Sequence, residues 1–293
     1  MPLALLVNPS SASGKTLKLL PRVEAVLDAH RVEFRVQRTK GLEHGAEHAL
    51  RAIDAGEVPV VMSGDGLVGA IGGAMAGAEV PLGIIPGGRG NDLARVLGIP
   101  DEPEAAAEVI LAGHSRRIDV GEANGKRFLG IVSVGFDSEA SRRANEARFL
   151  PGNLVYVYAA FATLFRWKPA GFTVRIDDER IRLSGYSVSI ANSKAYGGGM
   201  FIAPDAELDD GEFDVVGVGE VGKLRFLANL PKVFKGTHVN EEQVRVFRTS
   251  HLELSASKPF PVYADGEHLT ELPTSMRVLP RALDVLVPAA VET

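Results

Sequence analysis

The 293-residue chain has no cysteine, so it can form no disulfide, no thiolate metal site and no cysteine nucleophile. It also lacks any run of 18 or more apolar residues, which argues against a membrane-spanning helix. The apolar start, Met1 to Val7, is too short for a span, lacks the basic opening of a signal peptide, and fits a first strand. Positive charge is not in excess. Lys and Arg total 32 against 37 Asp and Glu, a formal net charge of −5. Binding a phosphate backbone needs a basic face, so nucleic acid is not the expected partner. Fixed-period repeats and low-complexity tracts are missing too. What is present is a 45% hydrophobic chain, enough to bury a substantial core and to make two domains. The absence of cysteine is compatible with the cytosol.

The organising stretch is Val60-Val61-Met62, a short apolar strand broken by Ser63-Gly64-Asp65-Gly66, with an Ala/Gly-rich helix running to Met75. Glycines at a strand-to-helix turn let backbone N–H groups approach an anion, and the helix start adds a favourable dipole. An acid between them would repel phosphate unless Asp65 faces a divalent cation that the phosphates share. Asp-Gly is also a common turn, so the pattern alone is weak. A second such turn strengthens it. The strand of residues 80–85 runs into Pro86-Gly87-Gly88-Arg89-Gly90-Asn91-Asp92, again with an acid at the mouth of a helix. In an open parallel sheet, ligands gather beyond the carboxyl ends of strands, so Asp65 and Asp92 are expected to face one site.

The rest of residues 1–120 alternates strand and helix. Leu3 to Val7 is a continuous apolar strand ending at Asn8-Pro9, followed by a small-residue loop to Gly14-Lys15-Thr16. That loop nearly matches a Walker A motif, but its first glycine is replaced by Pro9, which has no N–H; it is kept only as a loop near phosphate. Helices are expected over residues 17–30, 43–55 and 103–112, and a strand over 32–36 that ends at Arg38-Thr39. His44 and His48 lie one turn apart but lack a third ligand, so an exposed helix explains them better than a metal. Residues 116–120, with Asp119, lead into a strand that ends this domain.

Beyond residue 120 the pattern changes to strands with tight turns, expected over 128–134, 172–176, 181–190, 213–218, 251–256, 261–263 and 275–279. The fold class is therefore α/β plus β. An N-terminal domain with a parallel sheet (1–120) precedes a mainly antiparallel, β-rich domain (121–288) and a 289–293 tail. Residues 154–168 and 223–235 are apolar helices with basic ends. Core helices fit both better, with a membrane-facing surface as the alternative. The acidic loop from Pro204 to Asp214 is no EF-hand, since its glycine falls one place late, though Asp210 and nearby carbonyls could hold a cation. Asp265-Gly266-Glu267 suits a hairpin turn.

Together these pieces resemble the diacylglycerol kinase catalytic-domain family of lipid kinases, which includes sphingoid-base and ceramide kinases. The resemblance covers nearly the whole chain. It rests on Asn8-Pro9 and its loop, Thr39, Ser63 to Gly66, Pro86 to Asp92, the Pro204 to Asp214 loop and Asp265-Gly266-Glu267. It implies an α/β nucleotide domain joined to a β-rich lipid domain, using ATP and Mg. Asp265 matches the catalytic base, with Glu267 in support. Asn8, Thr39, the loop Ser63, Gly64, Asp65, Gly66, Leu67, Val68 and Gly69, and Arg89, Gly90, Asn91 and Asp92 match the ATP contacts. Asp65, Asp92 and Asp119 match acids that hold a water-and-magnesium network near the phosphates. Asp210, with the backbone carbonyls of Glu207 and Glu212, matches a structural magnesium site. A membrane lipid is the implied substrate. A peripheral contact with the inner face of the membrane, from a cytoplasmic location, is implied with it, and a homodimer stays open.

The sequence departs from that family at four positions. Leu67 stands for a usual threonine, Gly69 and Ala70 for an Asn-Glu pair, and Arg89 for a threonine. A guanidinium at 89 could still grip phosphate bidentately. The expected activity is phosphorylation of a lipid hydroxyl, most simply diacylglycerol to phosphatidic acid. The alternatives are a sphingoid-base, ceramide or phosphatidylglycerol kinase, a soluble-acceptor kinase akin to NAD kinase, or a non-catalytic lipid-binding protein.

Overall fold

A computed structural model describes residues 1–146 and 154–289 of the chain; residues 290–293 of the expected tail lie outside the described residues. Four strands, β1 (Leu3–Val7), β2 (Phe34–Arg38), β3 (Val58–Ser63) and β4 (Gly83–Pro86), form a parallel sheet in the order β2-β1-β3-β4. β1, β3 and β4 are buried along their whole length, as their unbroken apolar runs require of a sheet covered on both faces. Helix α1 (Lys15–Ala29) packs on α5 (Pro103–Ala112), and α2 (Leu42–Asp54) on α3 (Asp65–Met75). The chain leaves β1 in one direction and β2 in the other, so right-handed crossovers put these two helix pairs on opposite faces. The loops after β1 and β3 flank the point where the strand order reverses. A short helix, α4 (Asp92–Val96), follows β4.

The second sheet has eleven strands among the described residues, and its pairs are antiparallel. They are β5 (Ser115–Ala123), β6 (Lys126–Phe128), β7 (Ile131–Gly135), β8 (Ala170–Ile176), β9 (Glu179–Ala191), β10 (Phe213–Gly219), β11 (Val244–Thr249), β12 (His251–Ala256), β13 (Pro261–Ala264), β14 (Glu267–Glu271) and β15 (Thr274–Leu286). Three helices accompany them: α6 (Phe136–Glu146), α7 (Leu154–Arg166) and α8 (Lys223–Phe234). The core is aromatic. Phe128 stacks on Phe213 at 5.8 Å, and Trp167 stacks on Tyr186 and Phe260.

The structure corrects several expectations. The strand around Asp119 serves both halves: β5 pairs with β6 and β15 in the second sheet, while Ile118 and Val120 pack in the core of the parallel half. The single strand expected over 128–134 is two, parted at Leu129-Gly130, because β6 pairs with β5 whereas β7 pairs with β9 and β13. α7 and α8 are not core helices. Leu164 of α7 is buried, but Phe165 is 74% exposed, and on α8 Leu224 is 85% exposed and no residue is buried. Each carries exposed apolar side chains besides those that pack on the second core, Ala160 and Leu164 on α7 and Phe226 and Leu227 on α8. Helix α6 and strand β11 were not anticipated, and β14 is the second strand of the hairpin expected at Asp265.

The halves are fused by β15. A shift of register between Leu279 and Leu283 bends it out of step with β5, and beyond the bend Leu283, Val285 and Leu286 enter the core of the parallel half. Leu82, just before β4, forms a parallel bridge with Val285. Truncating Leu283 to alanine should cost about 2–5 kcal/mol and, because β15 serves both cores, should lower one shared transition; chemical denaturation followed by far-UV circular dichroism and by Trp167 fluorescence checks this, and two separated transitions would contradict it.

Candidate active site between the two sheets

At the carboxyl edge of the parallel sheet, three loops meet. After β1, the Asn8 side chain accepts the Ser10 N–H at 3.0 Å, and Ser11 Oγ donates to the Gly87 carbonyl at 2.8 Å. After β3 and β4, Gly64 and Gly88 approach so closely that a Cβ on Gly88 would stand 2.4 Å from Gly64 Cα. Only glycine allows that contact. Asn91, in the left-handed region (φ 51°), accepts the Gly88 N–H at 2.8 Å and closes the third loop.

Three carboxylates from distant parts of the chain converge beside these loops. Asp65, in the first turn of α3, accepts the Leu93 N–H at 3.2 Å. Asp65 and Asp92 both flank Gly90, where a Cβ would lie 2.9 Å from one carboxylate and 3.0 Å from the other. Asp265 comes from the turn between β13 and β14, with φ 51°. Its carboxylate accepts the Gly130 N–H at 3.1 Å and the Ile131 N–H at 3.0 Å, the amides exposed by the break between β6 and β7. A Cβ on Gly69 would stand 3.4 Å from Asp265, and one on Gly66 3.1 Å from Glu267.

These neighbours set the proton affinities. Burial, and then the nearby Asp65 charge, push the Asp265 carboxyl up to about 7, against the pull of the backbone amides. Burial followed by Asp92 raises Asp65, and burial raises Glu267. An apolar cavity of about 530 Å³ opens from this cluster. Asp65, Arg89, Asp92 and Asp265 stand along its lining, with Phe136, Leu164, Phe226, Leu227 and Leu230 supplying apolar walls.

Not every expected residue faces this cavity. Leu67 and Val68 are buried in the core, and Leu67 lies over Gly45 of α2. A leucine in that place is a packing residue, so only backbone groups there remain for a ligand. Thr39 is buried, with its hydroxyl donating to the Val7 carbonyl at 3.3 Å. Ser63 is buried at the end of β3. The Asp92 carboxylate is engaged by protein: Gly198 and Gly199 donate N–H bonds of 2.7 Å, and Arg95 pairs with it at 2.6 Å. Asp119 does not join Asp65 and Asp92. It is buried in β5, where it accepts the Gly211 N–H at 2.7 Å and the Arg281 N–H at 2.6 Å.

In the acidic loop, Asp210 pairs with Arg248 and accepts the Glu212 N–H at 3.0 Å. Glu212 faces Arg248 at 3.4 Å, and Glu207 faces Lys194 at 3.4 Å. Among the described residues, no three His, Cys, Asp or Glu side chains are grouped to hold a metal ion. Sequence reasoning missed Gly130, Ser141 and Tyr196. The Gly197-Gly198-Gly199 run, left-handed at all three positions (φ 68°, 84° and 99°), was the visible signal for the loop that holds Asp92.

Residues 2–123 match the diacylglycerol kinase catalytic domain, and residues 130–287 match the YegS C-terminal NAD kinase beta sandwich-like domain. A diacylglycerol kinase of Mycobacterium tuberculosis (strain ATCC 25618 / H37Rv) is 36% identical over 294 residues, spanning 97% of this chain and 94% of the relative. The chain belongs to the diacylglycerol kinase family. It is an enzyme of the lipid-kinase class. A diacylglycerol kinase of Bacillus subtilis (strain 168) is 28% identical over 248 residues, 83% of this chain and 80% of the relative. Two solved structures from Bacillus anthracis str. Sterne share the fold. Their TM-scores are 0.83 and 0.73 at 23% and 21% identity, covering 99% of this chain in both cases and 96% and 98% of their own.

In this lipid kinase, a Cβ on Gly130 would fall 2.0 Å from Asp265 Oδ1. Gly130→Ala should therefore displace the carboxylate and lower kcat by about a hundredfold, since a misplacement near 1 Å has that effect. Initial rates on protein of unchanged circular dichroism are the check, and wild-type turnover would count against the placement.

Proposed function

We propose that the enzyme transfers the γ-phosphoryl group of ATP, with magnesium, to the hydroxyl of a membrane glycerolipid, diacylglycerol being the acceptor, to give phosphatidic acid. The observation that carries this reading is Asp265, a carboxyl with a proton affinity near neutrality, standing where the glycine loops after β3 and β4 meet an apolar cavity. As the lipid oxygen attacks the γ-phosphorus, Asp265 takes the hydroxyl proton. The new O–P bond forms as the bond to the β-phosphate oxygen breaks, and ADP leaves.

The backbone N–H groups around Gly64 to Gly66 and the start of α3 suit a bound phosphate. Arg89 is exposed at the rim, with only a long 3.4 Å contact to Ser13 Oγ among the described bonds. Its guanidinium can therefore turn to the transferring phosphoryl group. Magnesium fits the donor chemistry: Asp65 offers hard carboxylate oxygens, and burial first, then the neighbouring Asp92 charge, raises its proton affinity. When bound, the ion would neutralise phosphate charge. Asp65 is the residue that would hold it, because Asp92 is engaged by Arg95 and two glycine amides.

Asp265→Asn should abolish transfer, by about a thousandfold, while ATP binding measured by calorimetry persists. Because burial favours the protonated acid, the base is lost as pH falls: kcat/KM should drop about tenfold per pH unit below an apparent pKa near 7. A screen with labelled ATP against diacylglycerol, a sphingoid base, ceramide, phosphatidylglycerol and NAD tests the acceptor. Diacylglycerol should be strongest, and turnover of NAD alone would overturn the reading.

A bilayer is the expected source of the acceptor. Phe165 and Leu224 are exposed on α7 and α8, the helices that also wall the cavity, and Lys223 Nζ donates to the Phe165 carbonyl at 2.7 Å. Arg166, Lys168 and Lys223 surround this apolar tip with positive charge on a chain that is acidic overall. The double substitution Phe165→Asp and Leu224→Asp should weaken co-sedimentation with anionic vesicles at least about tenfold, from the lost apolar insertion. Unchanged sedimentation would place the membrane contact elsewhere.

A further inference from the structure

Each amide that holds Asp265 belongs to a planar peptide whose carbonyl points the opposite way. The Gly130 N–H shares its peptide with the Leu129 carbonyl, and the Ile131 N–H shares its peptide with the Gly130 carbonyl. One residue holds both carbonyls. Asn192, which follows β9, donates its side-chain Nδ2 to the Leu129 carbonyl at 2.9 Å and its backbone N–H to the Gly130 carbonyl at 3.0 Å. On the far side the two N–H groups reach Asp265 Oδ2 and Oδ1, at 3.1 and 3.0 Å. Two chains of hydrogen bonds therefore run from Asn192, through one peptide each, to the two oxygens of one carboxylate.

The side chain is fully committed. Asn192 is buried, and its Nδ2 also donates to the Asp119 carbonyl of β5 at 3.0 Å. Both amide protons meet carbonyls, so the group cannot be turned over, and Oδ1 is left buried with no hydrogen-bond partner among the described residues. An unpaired buried acceptor is costly, so stability alone does not favour an amide in this space. What the amide supplies is orientation. The break between β6 and β7 leaves Leu129 and Gly130 outside any strand, and a peptide there can swing unless its carbonyl is held. Donation to that carbonyl also polarises the peptide and strengthens its N–H as a donor.

Resting on the reading of Asp265 as the proton acceptor, we propose that Asn192 is a positioning residue for phosphoryl transfer: its side-chain amide fixes the Leu129–Gly130 peptide so that the Gly130 N–H holds Asp265 Oδ2 in place. The test is a double-mutant cycle of Asn192→Leu, which keeps the size and removes both side-chain donors, with Asp265→Asn, assayed with labelled ATP and diacylglycerol in mixed micelles. Asn192→Leu should lower kcat about tenfold, the cost of a displacement under 1 Å, and leave the KM for ATP near wild type. In the Asp265→Asn background the same substitution should change the residual rate by less than about twofold, because the group it acts through is gone. A merely structural asparagine gives the same loss in both backgrounds, and that result overturns the proposal, as does wild-type kcat in Asn192→Leu. Far-UV circular dichroism checks folding, and Asn192→Ser, whose hydroxyl keeps one donor, repeats the cycle where the leucine variant does not fold. Wild-type turnover in Asp265→Asn overturns the base assignment and this inference together, whereas an additive cycle overturns this inference alone.

Discussion

A carboxylate held in a shielded place by two backbone amides is the interaction on which the site depends. Asp265 could not remain ionisable beside Asp65 without the Gly130 and Ile131 N–H groups, which favour its charged form. Those amides are available because the chain breaks between β6 and β7 to change pairing partners. The turn that delivers Asp265 is itself left-handed at Asp265 and Gly266. Opposing influences, with burial and a neighbouring charge on one side and amide donors on the other, leave the group near neutrality. That is the balance a general base requires.

The other acids act as fasteners. Asp92 ties the loop after β4 to the glycine run of the second half, and Asp119 ties β5 to Gly211 and to the bend at Arg281. In both cases a carboxylate satisfies successive backbone amides where tight turns leave them without a strand partner. The bend at Arg281 is what sends β15 into the first core. The geometry around Asp65 and Asp265 therefore depends on acids whose oxygens are taken up by backbone amides.

The parallel half was legible because each buried strand is one unbroken apolar run and each glycine turn follows such a run. Asp65 and Asp92 were legible as a pair from two glycine turns at strand ends, whereas Asp265, in an ordinary hairpin turn, was joined to them only by the family resemblance. The partner of β5 was not: its pairing with β15 joins residues more than 150 apart, and no local pattern records it. The outward faces of α7 and α8 were hidden for a different reason, because apolar composition is the same whether a face meets protein or not. Leu67 misled by position: a residue in a ligand-shaped loop turned its side chain to Gly45. Gly69 is clearer in space than in sequence. A side chain there would touch Asp265, whose carboxylate among the described residues accepts from the Gly130 and Ile131 backbone amides.

The bridge between Leu82 and Val285 has one more consequence. β4 is the last strand of the parallel sheet, so its outer rim offers unpaired amides and carbonyls beside apolar side chains. The returning segment of β15 shields the approach to that rim, through Leu82 N–H to Asp284 and Leu286 N–H to Leu82. A gene fragment ending after the parallel half would lose the cover and offer a template for strand addition between molecules. The far end of the polypeptide is thus a guard against self-association of its own beginning.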